Sequence, residues 1–382
     1  MKTYTSALVG VTGYALCHYT NLLRESERGR TKILGAVIIN RNDAAPQVER
    51  LNELGCRIFD TADELFSEMN GKIDLCCIPV GIPYHAKFTC EALKAGANVL
   101  VEKPLAPTMA EVKRILSLEE SQKRFVAVGF QFCHSRSTLL LKRRILAGEF
   151  GRIVSMKTIG LSPRGDDYYN RNPWAGKKTL SDGTPVMDSP FGNGMAHQLH
   201  MALFLAGETE ETSAMPHSVS ARQYRANPIE SCDTSVLRII LEKGVPLLCC
   251  GSHAADVNHD PELVIECEKA RLCWTYPACH ILFGNGRSET IENDSNEVQY
   301  ENLYESLYRR LCGEDSFLCT VRNAASHSAC IDLAFKEERI LDFPPETITY
   351  DPDRKVRTVR GLGAAILNAW EKGLFPPPLS GI

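Results

Sequence analysis

Over the first 130 residues, short apolar runs alternate with amphipathic stretches, and this alternation limits the possible folds more than any other feature of the chain. Residues 7–11, 34–39, 73–79, 98–101 and 125–129 read as strands. The intervening stretches 14–24, 44–54, 62–69, 83–95 and 109–121 read as helices. A strand that is apolar on both sides must be covered on both faces, and helical crossovers supply that cover in a parallel sheet. The expected fold class is therefore α/β, with an N-terminal Rossmann, doubly wound parallel sheet.

The pattern changes after residue 130. A helix is expected at 135–147, a strand at 153–160 and a helix at 196–205. Between them, 164–190 is long, polar and aromatic, with Gly and Pro throughout, and a loop of that length usually carries function. Strands at 218–224, 236–241 and 245–250 lack long helices between them, which predicts a large, mainly antiparallel sheet. Helices return at 301–311, 320–335 and 359–372, and the tail around Phe375 reads as extended. The chain of 382 residues suits two domains. These are a dinucleotide-binding Rossmann domain at 1–130 and an α+β substrate-binding and oligomerisation domain at 131–382.

A formal net charge of −4 gives no drive toward nucleic acid or an anionic membrane surface. No apolar run approaches the ~20 residues that span a bilayer. The basic-then-apolar N-terminus admits a signal peptide, but a glycine turn sits where the apolar region should continue. The 15 cysteines are odd in number and show no zinc-like spacing. They read as small buried hydrophobes in a reducing, cytoplasmic compartment, with no metal site.

Three motifs carry chemistry. Gly10-Val-Thr12-Gly13-Tyr14-Ala15 follows the first strand and opens a helix, as a pyrophosphate-binding turn does. Thr12 replaces the second glycine of that pattern, and an ordinary strand-to-helix turn is the competing reading. The second strand ends in Asn40-Arg41-Asn42-Asp43, with no acid at the tip. Arg41 inclines the choice between NAD and NADP toward NADP, since an Arg there can take the 2′-phosphate. Glu102-Lys103-Pro104 follows the 98–101 strand, where ligands of open α/β sheets bind. An ammonium there can hold a hydroxyl and stabilise developing oxyanion charge.

The stretch from His85 through Glu102-Lys103-Pro104-Leu105 resembles the Gfo/Idh/MocA family, the glucose–fructose oxidoreductase and inositol dehydrogenase group. Gly129-Phe130-Gln131, Gly148-Glu-Phe-Gly151 and His197-Gln-Leu-His200 continue the resemblance in order to about residue 210. The resemblance implies that Lys103 and His197 are catalytic, with His197 taking a hydroxyl proton as hydride leaves for the nicotinamide. It implies cofactor contacts at Gly10, Thr12, Gly13, Tyr14, Asn40, Arg41, Pro79, His85, Glu102 and Gln131. Substrate contacts are expected at Tyr169, Trp174, Asn193 and His200. Aromatic faces suit sugar rings, and the planar Arg164 and Arg171 beside them suit acidic groups. Asp188 either caps a turn or reaches the site.

The chain departs from the family where Asn193 and His200 stand in place of aspartates and Cys133 in place of an arginine, which marks an atypical subgroup. Asn193 can hydrogen-bond a hydroxyl but cannot act as a base. The resulting expectation is an NAD(P)-dependent oxidoreductase acting on a sugar, inositol or related polyol. Its partners would be a carbohydrate-like small molecule and copies of itself in a homodimer or homotetramer, with neither nucleic acid nor membrane. Two other activities are open: a redox-assisted lyase or glycosidase with tightly held NAD, and a non-catalytic dinucleotide-binding regulator.

Overall fold

The computed structural model describes residues 2–337, 339–376 and 379. The chain forms two compact units. The first holds the residues up to His134 together with Asn296–Ala324, and the second holds Ser135–Ser295 and the residues from Ala325 onward.

The first unit is built on a six-stranded, wholly parallel sheet. Its strands are β1 (Tyr4–Val9), β2 (Thr31–Val37), β3 (Arg57–Phe59), β4 (Leu75–Ile78), β5 (Asn98–Val101) and β6 (Val126–Val128). Their order is β3-β2-β1-β4-β5-β6, so the winding reverses between β1 and β4. Parallel neighbours need crossovers, which the helices Leu16–Glu27, Ala45–Glu53, Ala62–Glu68, Ile82–Lys94 and Met109–Gln122 supply. The last of these starts in a full capping box, Thr108 with Glu111. Strand β3 has no counterpart in the sequence reading. It is a three-residue edge strand with an exposed Arg57, too short for periodicity to register.

A single boundary after residue 130 leaves out the return of 296–324 to this unit. The helix Asn296–Leu311 buries Tyr300, Leu303, Tyr304, Leu307 and Tyr308 in one core with Leu8, Leu22, Ile33 and Leu75. Beyond it, the Val128 N–H donates to the Cys319 carbonyl at 2.8 Å, which pairs the outer edge of β6. The apolar stripe on that helix was legible in the sequence. Which sheet it covers is a tertiary choice that no local pattern encodes.

The second unit is α+β. Its nine-stranded sheet contains β7 (Ile153–Leu161), β8 (Pro216–Arg225), β9 (Thr234–Leu241), β10 (Pro246–Ser252), β11 (His259–Cys267), β12 (Ala270–Trp274), β13 (Ala278–Phe283), β14 (Ser288–Glu292) and β15 (Ile340–Asp342). The order is β14-β13-β12-β11-β7-β10-β9-β8-β15. Pairing is antiparallel except for β7 with β10 and β8 with β15. Ile159, Leu161, Val236, Leu248 and Val264 share a core with Leu362, Ile366 and Trp370 of the helix Leu362–Lys372. A helix over 359–372 was expected. Instead β17 (Val356–Val359) pairs with β16 (Ile348–Asp351), and Gly361, at φ 77°, turns the chain into the helix. The 164–190 segment is irregular apart from the short helix Asp166–Tyr169.

The helix Ala196–Leu205 is buried along its whole length. The buried Lys142 fixes its C-terminal end, with Nζ donating to the carbonyls of Phe204 at 2.5 Å and Gly207 at 2.6 Å. A cation there meets the negative end of the helix dipole and satisfies carbonyls that have no helical partner. Among the described residues, no helix is long and apolar enough to cross a membrane. Pro377 and Pro378 of the expected extended tail lie outside the described residues.

The packing of Asn296–Leu311 yields a stability prediction. Leu307→Ala empties a fully buried position of the first unit and should cost about 2–5 kcal/mol. Urea unfolding reads this loss. A cost below about 1 kcal/mol, the range of surface substitutions, would contradict membership of that core.

Candidate functional site

The residues singled out from the sequence fall into two groups, one on each unit. On the first unit, β1 runs into Gly10 at φ 97° and Gly13 at φ 58°. A Cβ at Gly10 would lie 3.7 Å from the Ala15 Cβ and 3.9 Å from the Pro79 carbonyl, so there is room for one. The left-handed backbone, not crowding, calls for glycine. Thr12 is extended, at φ −116°, and its side chain caps nothing. The replacement of the second glycine is therefore compatible with the turn. Thr12, Gly13 and Tyr14 are exposed, and the helical segments beginning at Gly13 and Leu16 have no side-chain cap. Uncapped N–H groups at a helix start are the donors an anionic pyrophosphate requires.

At the end of β2, Asn40, Arg41, Asn42, Asp43 and Asp60 line a cavity of about 430 Å³ beside Ile39, which is 79% exposed. Arg41 is ion-paired with Asp60 at 2.6 Å. An apolar side chain standing out beside polar groups suits the face of an adenine with a ribose next to it.

The centre of this unit's site is the carboxylate of Glu102, which is almost wholly buried just past β5. Its Oε1 is 2.8 Å from His18 Nε2 and accepts from the Tyr300 hydroxyl at 3.3 Å. Its Oε2 accepts the Lys103 backbone N–H at 2.9 Å. The His18 Nδ1 meets the Tyr304 hydroxyl at 3.0 Å, and the Tyr300 hydroxyl meets that of Tyr14 at 2.7 Å. A Cβ at Gly129 would come within 2.7 Å of Glu102 Oε1, so the Gly129-Phe130-Gln131 stretch needs glycine for space. The Lys103–Pro104 peptide is cis, and Lys103 Nζ lies 5.9 Å from the Tyr14 ring centre.

Burial alone would push His18 down. The neighbouring Cys17, the Glu102 hydrogen bond and the Glu102 charge outweigh it and raise His18 to about 9. Burial likewise opposes ionisation of Glu102. The His18 hydrogen bond and the charges of His18 and Lys103 nevertheless hold Glu102 below the usual carboxylate range. The two groups form a buried imidazolium–carboxylate pair.

His85 is buried with Nδ1 2.6 Å from the Pro104 carbonyl and Nε2 2.9 Å from the Val80 carbonyl. Burial, the largest influence, lowers its pKa. The neutral ring can donate to only one of these carbonyls, and the shorter contact favours the Nδ1–H form. Both polar atoms of His85 thus face backbone. Gln131 donates from Nε2 to Asn296 Oδ1 at 3.0 Å.

On the second unit, the turn Pro190–Gly194 precedes the helix that carries His197 and His200. Asp188 is buried and bridges two elements. It accepts the Gly176 N–H at 2.7 Å and the Asn193 side-chain amide at 3.0 Å. It thus holds Asn193 in a fixed orientation. His197 is 9% exposed at the start of the helix, while His200 is buried one turn on and lies parallel to Phe204. Tyr169 stands edge-on to Tyr168, and Arg171 lies over both Tyr168 (3.7 Å) and Trp174 (5.2 Å). The Tyr169 hydroxyl is buried with no hydrogen-bond partner among the described residues.

Reading the sequence missed His18 and Tyr300, and left Asp188 undecided. A signal for His18 did exist. A glutamate at the end of a buried strand needs a cationic or multi-donor partner, and His18 is the one histidine in the helix after the glycine turn.

Residues 5–130 match the oxidoreductase family with an NAD-binding Rossmann fold, and residues 138–273 match the GFO/IDH/MocA C-terminal domain. A dTDP-3,4-didehydro-2,6-dideoxy-alpha-D-glucose 3-reductase of Streptomyces violaceoruber is 29% identical over 30% of this chain and 33% of its own length. An inositol 2-dehydrogenase of Serratia proteamaculans is 28% identical over 40% of this chain and 42% of its own. The matches thus span between a third and a half of these curated relatives. Among solved structures, the WlbA dehydrogenase of Bordetella pertussis, in complex with NADH and UDP-GlcNAcA, superposes with a TM-score of 0.71 at 19% identity, over 88% of this chain and 96% of that one. A levoglucosan dehydrogenase, in complex with NADH and levoglucosan, gives 0.71 at 16% identity, over 88% and 98%. At these identities the likeness establishes the fold.

The His18–Glu102 pair predicts a pH dependence of stability. His18 is raised from 6.5 to about 9, so its contribution is complete below 6.5 and is lost as pH rises through about 9. Glu102 is lowered from 4.5, so its contribution is complete above 4.5 and is lost as pH falls through its folded value. His18→Gln should cost about 3–5 kcal/mol near pH 6, the range for breaking a buried pair. The gap in Tm between wild type and variant should narrow as pH rises from about 6.5 to 10. A gap that does not change with pH would show that the pair is not ionic.

Proposed function

The chain belongs to the GFO/IDH/MocA oxidoreductase family, and from that premise we propose that it moves a hydride between a nicotinamide dinucleotide and a carbinol carbon of a sugar, inositol or related polyol. One observation carries the reading. Lys103 stands at the carboxyl end of β5, and its backbone N–H is held by the buried, ionised Glu102. This is where open parallel sheets bind ligands, and the glycine turn of the same sheet offers uncapped N–H groups to a pyrophosphate. The nicotinamide, when bound, accepts the hydride from the carbinol carbon.

The chain's own residues do the rest. Lys103 donates a hydrogen bond to the reacting oxygen and opposes its developing negative charge. His197 takes the hydroxyl proton as the carbonyl forms. Asn193, oriented by Asp188, hydrogen-bonds a neighbouring hydroxyl, and Tyr169 and Trp174 offer aromatic faces to the ring. Gly10, Thr12, Gly13 and Tyr14 would cradle the pyrophosphate, with Pro79 alongside Gly10. Asn40 and Arg41 would meet the adenosine ribose. Arg41 is also the group that would take the 2′-phosphate of NADP, in exchange for Asp60. His85 and Gln131 support this surface through their backbone and Asn296 contacts.

We further place the protein in a reducing, cytoplasmic compartment. No disulfide joins the cysteines of the described residues, and most of them are buried. The nine-stranded sheet is the surface on which copies would assemble as a homodimer or homotetramer. Its strands β7 and β13 expose Val154 and Leu282 at 55% and 54%.

The test is oxidation of a panel of sugars and inositols with NAD⁺ and NADP⁺, followed by nicotinamide absorbance. Lys103→Met should lower kcat by roughly 10²–10³, the scale of one lost oxyanion donor, with the NADH Kd nearly unchanged. His197→Asn should lower the rate and abolish its acid limb. A Lys103→Met enzyme of wild-type rate would refute the assignment.

A further inference from the structure

We propose that the substrate is an anionic sugar, and that Arg164 seats its negatively charged group. This rests on the oxidoreductase reading above and names the substrate class for it. Just past β7, a cavity of about 250 Å³ is lined by Ser162, Arg164, Gly194, His253, Asp260 and Tyr276, among others. Gly194 joins Asn193 to the helix that carries His197, so the cavity adjoins the proposed proton acceptor along the chain.

Four observations on this unit converge. First, the Arg164 side chain forms no ion pair and no hydrogen bond with any described residue, although its Nε is buried. A buried guanidinium N–H without an acceptor is costly, and an oxyanion is its natural partner. Second, the chain itself neutralises little of the positive charge. Arg164 and Arg171 flank Tyr168 at 5.1 Å and 3.7 Å, and among the described residues neither has a carboxylate within ion-pairing distance. Burial first, and then these two arginines, depress His253 to about 3, so it lines the cavity as a neutral ring.

Third, the wall is closely fitted. A Cβ at Gly194 would come within 2.8 Å of His253 Nε2, and the Tyr168 ring meets His253 edge-on at 5.6 Å. Fourth, the remaining lining suits hydroxyls. Asp260 is exposed and apart from Arg164, and Tyr276 accepts from Gln198 at 3.1 Å. A seat for one oxyanion beside acceptors for hydroxyls fits a sugar carrying a carboxylate or a phosphate. A bare inorganic anion would leave the hydroxyl partners unused, and a neutral polyol would leave the guanidinium unmatched.

The experiment is binding calorimetry on the full chain, with and without NADH, using D-glucuronate, D-glucose 6-phosphate and D-glucose as probes. At least one anionic probe should bind roughly tenfold or more tighter than D-glucose, and which one does so separates carboxylate from phosphate. Arg164→Gln should abolish that preference while leaving D-glucose binding unchanged. Arg164→Lys, which keeps the charge without the planar fork, should retain part of it. Equal or undetectable binding of all three probes to wild type overturns the proposal, as does an Arg164→Gln protein that keeps the preference. Failure of NADH to bind is a separate result. It removes the oxidoreductase reading, while the anion preference and its loss in Arg164→Gln still decide this site.

Discussion

The first unit's site depends on one buried carboxylate. Glu102 lies where β5 ends, and a charge removed from water there is tolerated only if its lone pairs are filled and its charge is met. His18, Tyr300 and the Lys103 N–H together do this. Each comes from a different part of the chain: the helix after the glycine turn, the helix at 296–311, and the residue that carries the ammonium. Gly129 completes the arrangement by leaving space for the carboxylate. The carboxylate thus joins the helix after the glycine turn, the lysine and the returning helix within the first unit, and it holds the Lys103 backbone without using the lysine side chain.

The second unit follows the same logic with the charges reversed. The buried Lys142 closes the C-terminal end of the helix that bears His197, and the buried Asp188 orients Asn193 at the other end. Both charges are fully hydrogen-bonded within the fold, and such structural ions precede any ligand. Arg164 differs because its guanidinium meets only the face of Tyr168 and finds no hydrogen-bond acceptor among the described residues. Cations that the fold satisfies hold the scaffold, and a cation left unsatisfied beside a cavity points to a ligand.

Much of this was legible in the sequence. Period and length gave the parallel sheet and its crossovers, because strands buried on both faces leave a pattern that cannot be mistaken for an amphipathic surface. Gly10, Glu102-Lys103-Pro104 and the His197 helix stood out because their chemistry is local. What escaped was non-local or short. The three residues of β3 carry no period, the destination of Asn296–Leu311 is decided by packing, and the His18–Glu102 pair joins positions 84 residues apart. Thr12 looked like a defect in the glycine turn, yet its extended backbone is one that any residue adopts, so the turn itself does not require glycine there. Asp188 could not be assigned from sequence because its partners, Gly176 in an irregular segment and Asn193 in the turn that follows it, carry no local pattern.

Hydride transfer by this chain requires that the glycine turn and the end of β2 hold a nicotinamide dinucleotide. The direct measurement is titration of this 382-residue chain with NADH and NADPH, read by nucleotide fluorescence, with a Gly10→Val variant alongside. Saturable binding of at least one nucleotide, lost in the variant through its strained left-handed backbone, is the predicted result. Absence of binding by both nucleotides to a folded wild-type chain would contradict it.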